Sequence, residues 1–411
     1  MQVKVLTLIL TIAGMLAAAG SAAAQAPAVQ SAAIVLPAYQ SASYQVISTN
    51  SPLWFAAANL PPGLTIDAAT GLISGTASQP NSYFATVTAG NAAGSGTGTV
   101  EFAVTAPLLP TGTYTGILTD TAATASGFAT ITVGRNGRYT ADIDIGVAAT
   151  RFASAFNEYG VSLPTVTIRQ QQAVMQILAH ETNIGVSIFS DGMTSAGVVE
   201  REGLPPTPPP QGAYTFALAA SAATFGSGYG TISLMKDGAI AVAGRLNDGR
   251  AFSQKTGLRP DGTFPLFARA GSVLAGDVAF NPGDSSLTGS MTWMRPEASG
   301  STISVMLAGG PYIAPKANVS PLSGANEFWF SAFGSPPCDE TAWLVPLNQS
   351  DLHDYFGLTL RVNLRRGLFS GRFADGESFD GALLQEQDFG AGLLFDPKRH
   401  LEGSVSIDPN Q

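Results

Sequence analysis

Leu60-Pro61-Pro62-Gly63-Leu64-Thr65-Ile66-Asp67-Ala68-Ala69-Thr70-Gly71-Leu72-Ile73-Ser74-Gly75-Thr76 decides the architecture of the N-terminal part of the chain. Pro61-Pro62-Gly63 is a rigid turn into a strand, Asp67 to Gly71 a tight hairpin loop, and Gly75 ends the return strand. Short β-prone runs lie on either side: Ala33-Ile34-Val35-Leu36, Tyr44-Gln45-Val46-Ile47, Tyr83-Phe84-Ala85-Thr86-Val87-Thr88 and Thr99-Val100-Glu101-Phe102-Ala103-Val104. Runs of this length, separated by Gly, Pro and Asn and without a helical period, predict an antiparallel sandwich over 27–106.

The same stretch, with Thr86-Val87-Thr88-Ala89-Gly90-Asn91-Ala92-Ala93-Gly94 after it, resembles the bacterial immunoglobulin-like domains related to the cadherin-like domain of dystroglycan. That resemblance implies a seven-stranded sandwich in a surface or secreted protein, used as a spacer or adhesive module. Cadherin-like relatives are often linked to calcium, which requires about six to eight oxygen ligands. Between Gln25 and Ala106 the acids are Asp67 and Glu101 alone, and Asp67 is placed to cap its own turn. A calcium ion is therefore only weakly supported there.

The rest of the chain repeats itself. Gly112-Thr113-Tyr114-Thr115-Gly116-Ile117-Leu118 returns as Gly212-Ala213-Tyr214-Thr215-Phe216-Ala217-Leu218. Each copy is followed by a hairpin, with turns at Asn136-Gly137 and Asp237-Gly238. Gly357-Leu358-Thr359-Leu360-Arg361-Val362-Asn363 and the run from Phe369 to Phe379 form a third, partial copy. Asn-Gly and Asp-Gly between alternating strands predict type I′ hairpins, hence β-meanders. The fold class is all-β: an immunoglobulin-like sandwich plus a duplicated antiparallel meander region forming small barrels or sandwiches, with a propeller as the runner-up. The predicted organisation is a signal peptide over 1–24, the sandwich over 27–106, and a repeat domain over 110–203. A Pro-rich linker over 204–211 follows, then a second repeat domain over 212–411 with an insertion at 296–354. The repeat region resembles β-rich domains found beside immunoglobulin-like modules in large bacterial surface proteins.

Lys4, the apolar run up to Gly20 and the small residues before Gln25 have the order of a secretory signal, predicting an exported protein that is extracellular, cell-surface or periplasmic. Only 12% of the 411 residues are charged and the net charge is −9. No stretch reads as a concentration of basic residues, which excludes nucleic acid as a partner. Cys338 is the single cysteine, which excludes an internal disulfide and thiolate metal clusters. No apolar run after the N-terminus is long enough for a transmembrane helix.

Residues capable of chemistry are sparse. His180, His353 and His400 have no ligand spacing, and no nucleophile elbow occurs. Asp142 and Asp144 alternate on one predicted strand and share a face, which makes them the candidate metal ligands or paired carboxylates. Trp329, Trp343 and Tyr312, in or near the predicted insertion, are the candidate sugar-stacking aromatics. Acidic neighbours of Cys338 oppose a thiolate. These readings favour a non-enzymatic adhesion or structural protein that meets a surface glycan or an envelope or matrix protein. The alternative is a carbohydrate-binding protein or glycan-active enzyme using the insertion.

Overall fold

The computed structural model describes residues 25–411 other than 106–108, 123, 136, 146–147, 158, 169, 191–192, 222–225, 296–301, 317–318, 323–326, 335–340, 347–350, 356–357, 375, 397, 399 and 409–411. Side chains at 193, 327–334, 341–346, 351–355, 358 and 401–402 are likewise outside the description. The predicted signal peptide and Cys338 fall outside the described residues. The chain divides into two compact units, one up to Pro107 that also takes in 135–137 and one over the remainder.

The Pro-Pro-Gly stretch does what its residues require. Leu64 donates its N–H to the Pro61 carbonyl at 3.0 Å, which closes the turn. Gly63 has φ +95° and Gly75 φ +137°, and a Cβ on either would lie 2.0–2.2 Å from backbone oxygen of the other segment. Only glycine lets these two segments approach so closely. The Asp67 carboxylate accepts from the N–H groups of Ala69 and Thr70 and from the Thr70 hydroxyl. These bonds hold its pKa below the usual carboxylate value. The result is a sandwich of seven strands in two sheets. One, in spatial order, is Ala32–Pro37, Gly94–Thr105, Asn81–Asn91 and Trp54–Ala58; the other is Ser41–Gln45, Leu72–Thr76 and Leu64–Ile66. Ile73, Val87, Val100 and Phe102 fill the space between the sheets, and Tyr44 meets Phe102 edge to face at 6.1 Å.

The second unit holds three large antiparallel sheets, each a meander whose last strand pairs with its first. The first sheet comprises Gly112–Asp120, Ala125–Val133, Arg138–Ile145, Ala148–Ala155, Val161–Ser162, Thr165–Ile168, Gln171–Ala179, Asn183–Ser190 and Met193–Arg201. The second comprises Gly212–Ala220, Gly228–Leu234, Ala239–Arg245, Ala251–Gly257, Thr263–Arg269, Val273–Phe280, Leu287–Met294 and Thr302–Pro311. The third comprises Glu327–Gly334, Thr341–Pro346, Asp351–Tyr355, Leu358–Asn363, Leu368–Arg372, Ser378–Leu384, Phe389–Phe395 and Leu401–Asp408. Each curls into a nearly closed, barrel-like sheet around its own core, centred on Ile131 and Met175, on Phe264 and Trp293, and on Phe379 and Ile407. Sheets of eight or nine strands are too large for propeller blades of four.

The gap in the ladder falls between the fourth and fifth strands of the second sheet but between the second and third strands of the third sheet. In the second sheet Gln254 spans it: its amide donates to the Pro265 carbonyl and accepts the Phe267 N–H, at 3.2 and 2.8 Å. Pro265 fits this position because a seam strand does not need its missing N–H. The sequence range 296–354, read above as an insertion, carries Thr302–Pro311 of the second sheet and the first three strands of the third.

The duplication is visible atom by atom. Tyr114 and Tyr214 are each buried and each donate a hydroxyl to the carbonyl of the proline four residues earlier, Pro110 at 2.8 Å and Pro210 at 2.5 Å. Gly112 and Gly212 precede them with φ of +148° and +149°. The turns differ from the type I′ expectation. At 235–239 and 246–250 the first residue's N–H donates to the fifth carbonyl and the glycine N–H returns to the first. Only Gly238 and Gly249 have positive φ there, whereas type I′ needs two such residues. These are type I turns closed by a glycine bulge, a loop one residue longer than expected.

Candidate functional site

The sheets of the second unit dock in series. The outer surface of Gly112–Asp120 and Ala125–Val133 packs on Thr263–Arg269 and Val273–Phe280, and that of Gly212–Ala220 and Gly228–Leu234 packs on Ser378–Leu384 and Phe389–Phe395. At the first junction Phe128 and Phe267 stack with centroids 5.9 Å apart, beside Ala125 and Ala275. Arg259, 6% exposed, reaches Glu200 at 3.2 Å and Asp277 at 3.0 Å and donates to the Thr115 carbonyl at 3.1 Å. Glu202 lies beside it. Burial raises the Glu202 pKa, opposed by the neighbouring polar groups of Thr115 and Gly257 and by the Arg259 charge. At the second junction Thr215, fully buried, donates its hydroxyl to the Leu383 carbonyl at 2.6 Å. Ala217 meets Leu384 and Ala391, and Tyr229 meets Ala382, Leu393 and Phe395.

Beside the second junction, on the outer face of the third sheet, lies a groove of about 680 Å³. Arg361, Ser370 and Asp380 face one another across three adjacent strands, since Arg361 pairs in register with Ser370 and Ser370 with Asp380. Asn363 and Arg365 add the turn at the end of the first of these strands, and Tyr229 of the second sheet forms the wall. Asp380 pairs with Arg245 at 3.4 Å, and Arg245 is itself held by a bond to the Gly249 carbonyl and by the Phe395 ring beneath it. Burial, followed by the Asp380 charge, pushes the Tyr229 phenol far above its ordinary value, so it is a neutral hydroxyl at all physiological pH.

The arginine-bearing turn is rigid. Asn363 Oδ1 accepts from the N–H groups of Arg365 and Arg366, both at 3.2 Å. Tyr312 lies under the turn and donates its hydroxyl to the Leu364 carbonyl at 2.9 Å. Gly367 has φ +68°, and a Cβ there would come within 2.5 Å of the Tyr312 ring, so both its conformation and its space require glycine.

The candidates from sequence do not converge. Tyr312 is 5% exposed and belongs to the core of the third sheet, where burial pushes its pKa up to about 12. Its ring supports the turn instead of offering a surface for a sugar. Trp329 pairs in register with Leu344 and Trp343 with Phe330, so the two tryptophans are not cross-strand partners; their side chains lie outside the described residues. Asp142 and Asp144 do share a face of Arg138–Ile145. Each, however, is opposite an arginine, Arg151 at 3.4 Å for Asp142 and Arg269 of the second sheet at 2.5 Å for Asp144. No group of three potential metal-ligating side chains occurs among the described residues.

The groove lies on a segment whose local charge is opposite to that of the chain as a whole. Arg361, Arg365, Arg366 and Arg372 fall within one short segment of a protein whose net charge is −9, contrary to the reading that no stretch concentrates basic residues. That local density was the available signal. The contribution of Tyr229, more than a hundred residues away, had none.

Among the described residues no helix is long and apolar enough to cross a membrane. No curated protein matches the chain by sequence. Similar solved structures include a putative alpha-galactosidase/melibiase from Bacteroides fragilis, at 21% identity and TM-score 0.19 over 21% of this chain and 20% of that one. This chain thus spans about a fifth of that protein's length. Transferrin-binding protein B from Haemophilus parasuis, a point mutant, matches at 8% identity and TM-score 0.20 over 80% and 83% of the two chains. The same protein from Neisseria meningitidis matches at 10% and 0.20 over 86% and 84%. TM-scores this low carry no weight for the fold or function of this chain. Residues 17–105 match the family described as "Putative Ig domain", so the chain carries an immunoglobulin-like domain followed by a β-rich region.

Proposed function

We propose that this is an exported, non-enzymatic surface protein whose β-rich unit acts as a stiff adhesive or structural element. One observation carries the reading: the same strand of successive repeats, with Thr115 or Thr215 at its centre, is committed to docking the next sheet. Serial docking through buried contacts resists bending and extension, as load-bearing or display proteins require. The immunoglobulin-like module and the predicted export signal are consistent with such a role. The acids most suited to catalysis support it too, because Asp142 and Asp144 are taken up in arginine pairs.

The test is to express the full chain in a bacterial host, label intact cells with a membrane-impermeant amine reagent, and measure attachment of the cells to glycan- and matrix-coated surfaces. Labelling with gain of attachment is expected. A chain protected from the reagent in intact cells, or labelled cells that attach no better than controls, overturns the proposal.

A carbohydrate-binding reading is favoured by one specific feature, the groove beside the second junction. It brings hydroxyl, amide, guanidinium and carboxylate groups around one concave surface, the polar equipment that orients a small ligand. The site of that reading thereby moves from 296–354 to the Arg361–Asp380 surface.

A further inference from the structure

The geometry points to the groove as a binding site for a saccharide that carries an anionic group, with Arg361 and Arg365 receiving the anion and Asp380, Asn363 and Ser370 the hydroxyls. The inference rests on the surface-protein reading and deepens it. A groove of about 680 Å³ falls in the range that holds small ligands, roughly 300–1,000 Å³. Its chemistry is mixed in a telling way. A planar guanidinium matches a carboxylate or sulfate through two parallel hydrogen bonds. A purely anionic ligand such as inorganic phosphate would meet the Asp380 carboxylate with like charge. A polyhydroxylated ring offers Asp380 donors and satisfies both kinds of group.

Preorganisation is the second strand of the argument. Arg365 makes no ion pair among the described residues. Its turn is nonetheless fixed from below by Tyr312 and from within by Asn363. Holding an arginine on a turn this well determined removes much of the ordering cost that binding would otherwise incur. At the other end, Arg245 and Tyr229 fix Asp380 from the second sheet, so the two sheets must be docked for the groove to exist.

The anion can be a uronate carboxylate or a sulfate ester, and the experiment separates them. Titration calorimetry with the full chain would use a galacturonic acid tetrasaccharide, a sulfated tetrasaccharide and a neutral glucose tetrasaccharide. At least one acidic probe is expected to bind about tenfold or more tighter than the neutral one, as expected for a charge-assisted pair. Arg365→Gln should lower that affinity about tenfold with an unchanged melting temperature. Ser370→Trp, which fills the groove without altering charge, should abolish binding. Failure of both acidic probes, equal binding of the neutral probe, or acidic binding indifferent to both variants overturns the inference. Cell-surface labelling and attachment are read separately. Failure of the calorimetric test with labelling and attachment intact would sink the groove assignment and leave the surface reading standing, whereas loss of labelling with saccharide binding intact would do the reverse.

Discussion

The two junctions of the β-rich unit use the same strand position and different chemistry. Thr115 and Thr215 stand one repeat apart, each buried on the first strand of its sheet. At the first junction Thr115 offers its carbonyl to Arg259, a guanidinium that also meets Glu200 and Asp277. At the second, Thr215 offers its hydroxyl to Leu383 amid Ala217, Leu384 and Ala391. Duplication thus supplies a docking strand, and the facing sheet decides whether the contact is ionic or apolar. The difference at this position matters because an ionic contact depends on pH and salt, whereas a neutral hydrogen bond amid packed side chains depends on shape; the ion pair of the second junction, Arg245 with Asp380, is made from a different strand, Ala239–Arg245.

The largest expected effect comes from Arg259→Ala. It strips the charge from a buried cluster and leaves the Thr115 carbonyl without its donor. The loss should be about 3 kcal/mol, the low end for breaking a buried pair, because Glu200 and Asp277 keep part of their hydration. Urea unfolding reads this directly, and a loss under about 1 kcal/mol would mean the ion cluster does not hold the first junction. Thr215→Val should cost about 1–2 kcal/mol by leaving the Leu383 carbonyl unpaired in the second junction. Hydrogen exchange at Ser378–Leu384 should rise with it while the first sheet stays protected. If both sheets open together, the junctions are not independent.

Tyr114→Phe and Tyr214→Phe test whether the two repeats are equivalent at their origin. Each removes one hydroxyl bond to a proline carbonyl and should cost about 1 kcal/mol. Unequal losses would show that the flanking junctions, and not the shared corner, set the energy.

The smallest effect concerns pH. Burial raises the folded-state pKa of Glu202 above its ordinary value of 4.5, so the folded chain holds this proton more tightly than the unfolded chain. Stability from this group is therefore fully present below the ordinary value and declines as pH rises through the interval up to the raised one. Glu202→Gln should flatten the dependence of the urea midpoint on pH in that interval. An unchanged slope would assign it to another group, with Asp144, whose pKa burial also raises against the pull of Arg269, the first to examine.

Much of the fold was legible in sequence because it depends on neighbours along the chain. Gly63 and Gly75 are written into the Pro-Pro-Gly stretch, and Asp67 caps the turn it begins. The hairpin positions were legible at Gly238 and Gly249, but the turn type was not. An Asp-Gly pair fits either type I′ or a type I turn with a glycine bulge, and the twist of the sheet chooses between them. The third sheet was only partly visible because its first strands, Glu327–Gly334 and Thr341–Pro346, lack the Gly-x-Tyr opening of the other two. The groove was hidden for a further reason, that half its identity lies in Tyr229 and Arg245 and half in 361–380.

By itself the sequence determined the all-β class, a sandwich as the first module and the repeated meander, since alternation, turn residues and positive-φ glycines act over a few residues. Only the tertiary structure decided that each meander curls back so that its last strand meets its first, that Thr115 and Thr215 become docking positions, and that an arginine turn faces Asp380 across a groove. Those outcomes rest on contacts such as Arg259 to Thr115 and Thr215 to Leu383, 144 and 168 residues apart. No local pattern encodes such pairs, because the free energy that selects them comes from burial and charge neutralisation between surfaces that exist only once each sheet has formed.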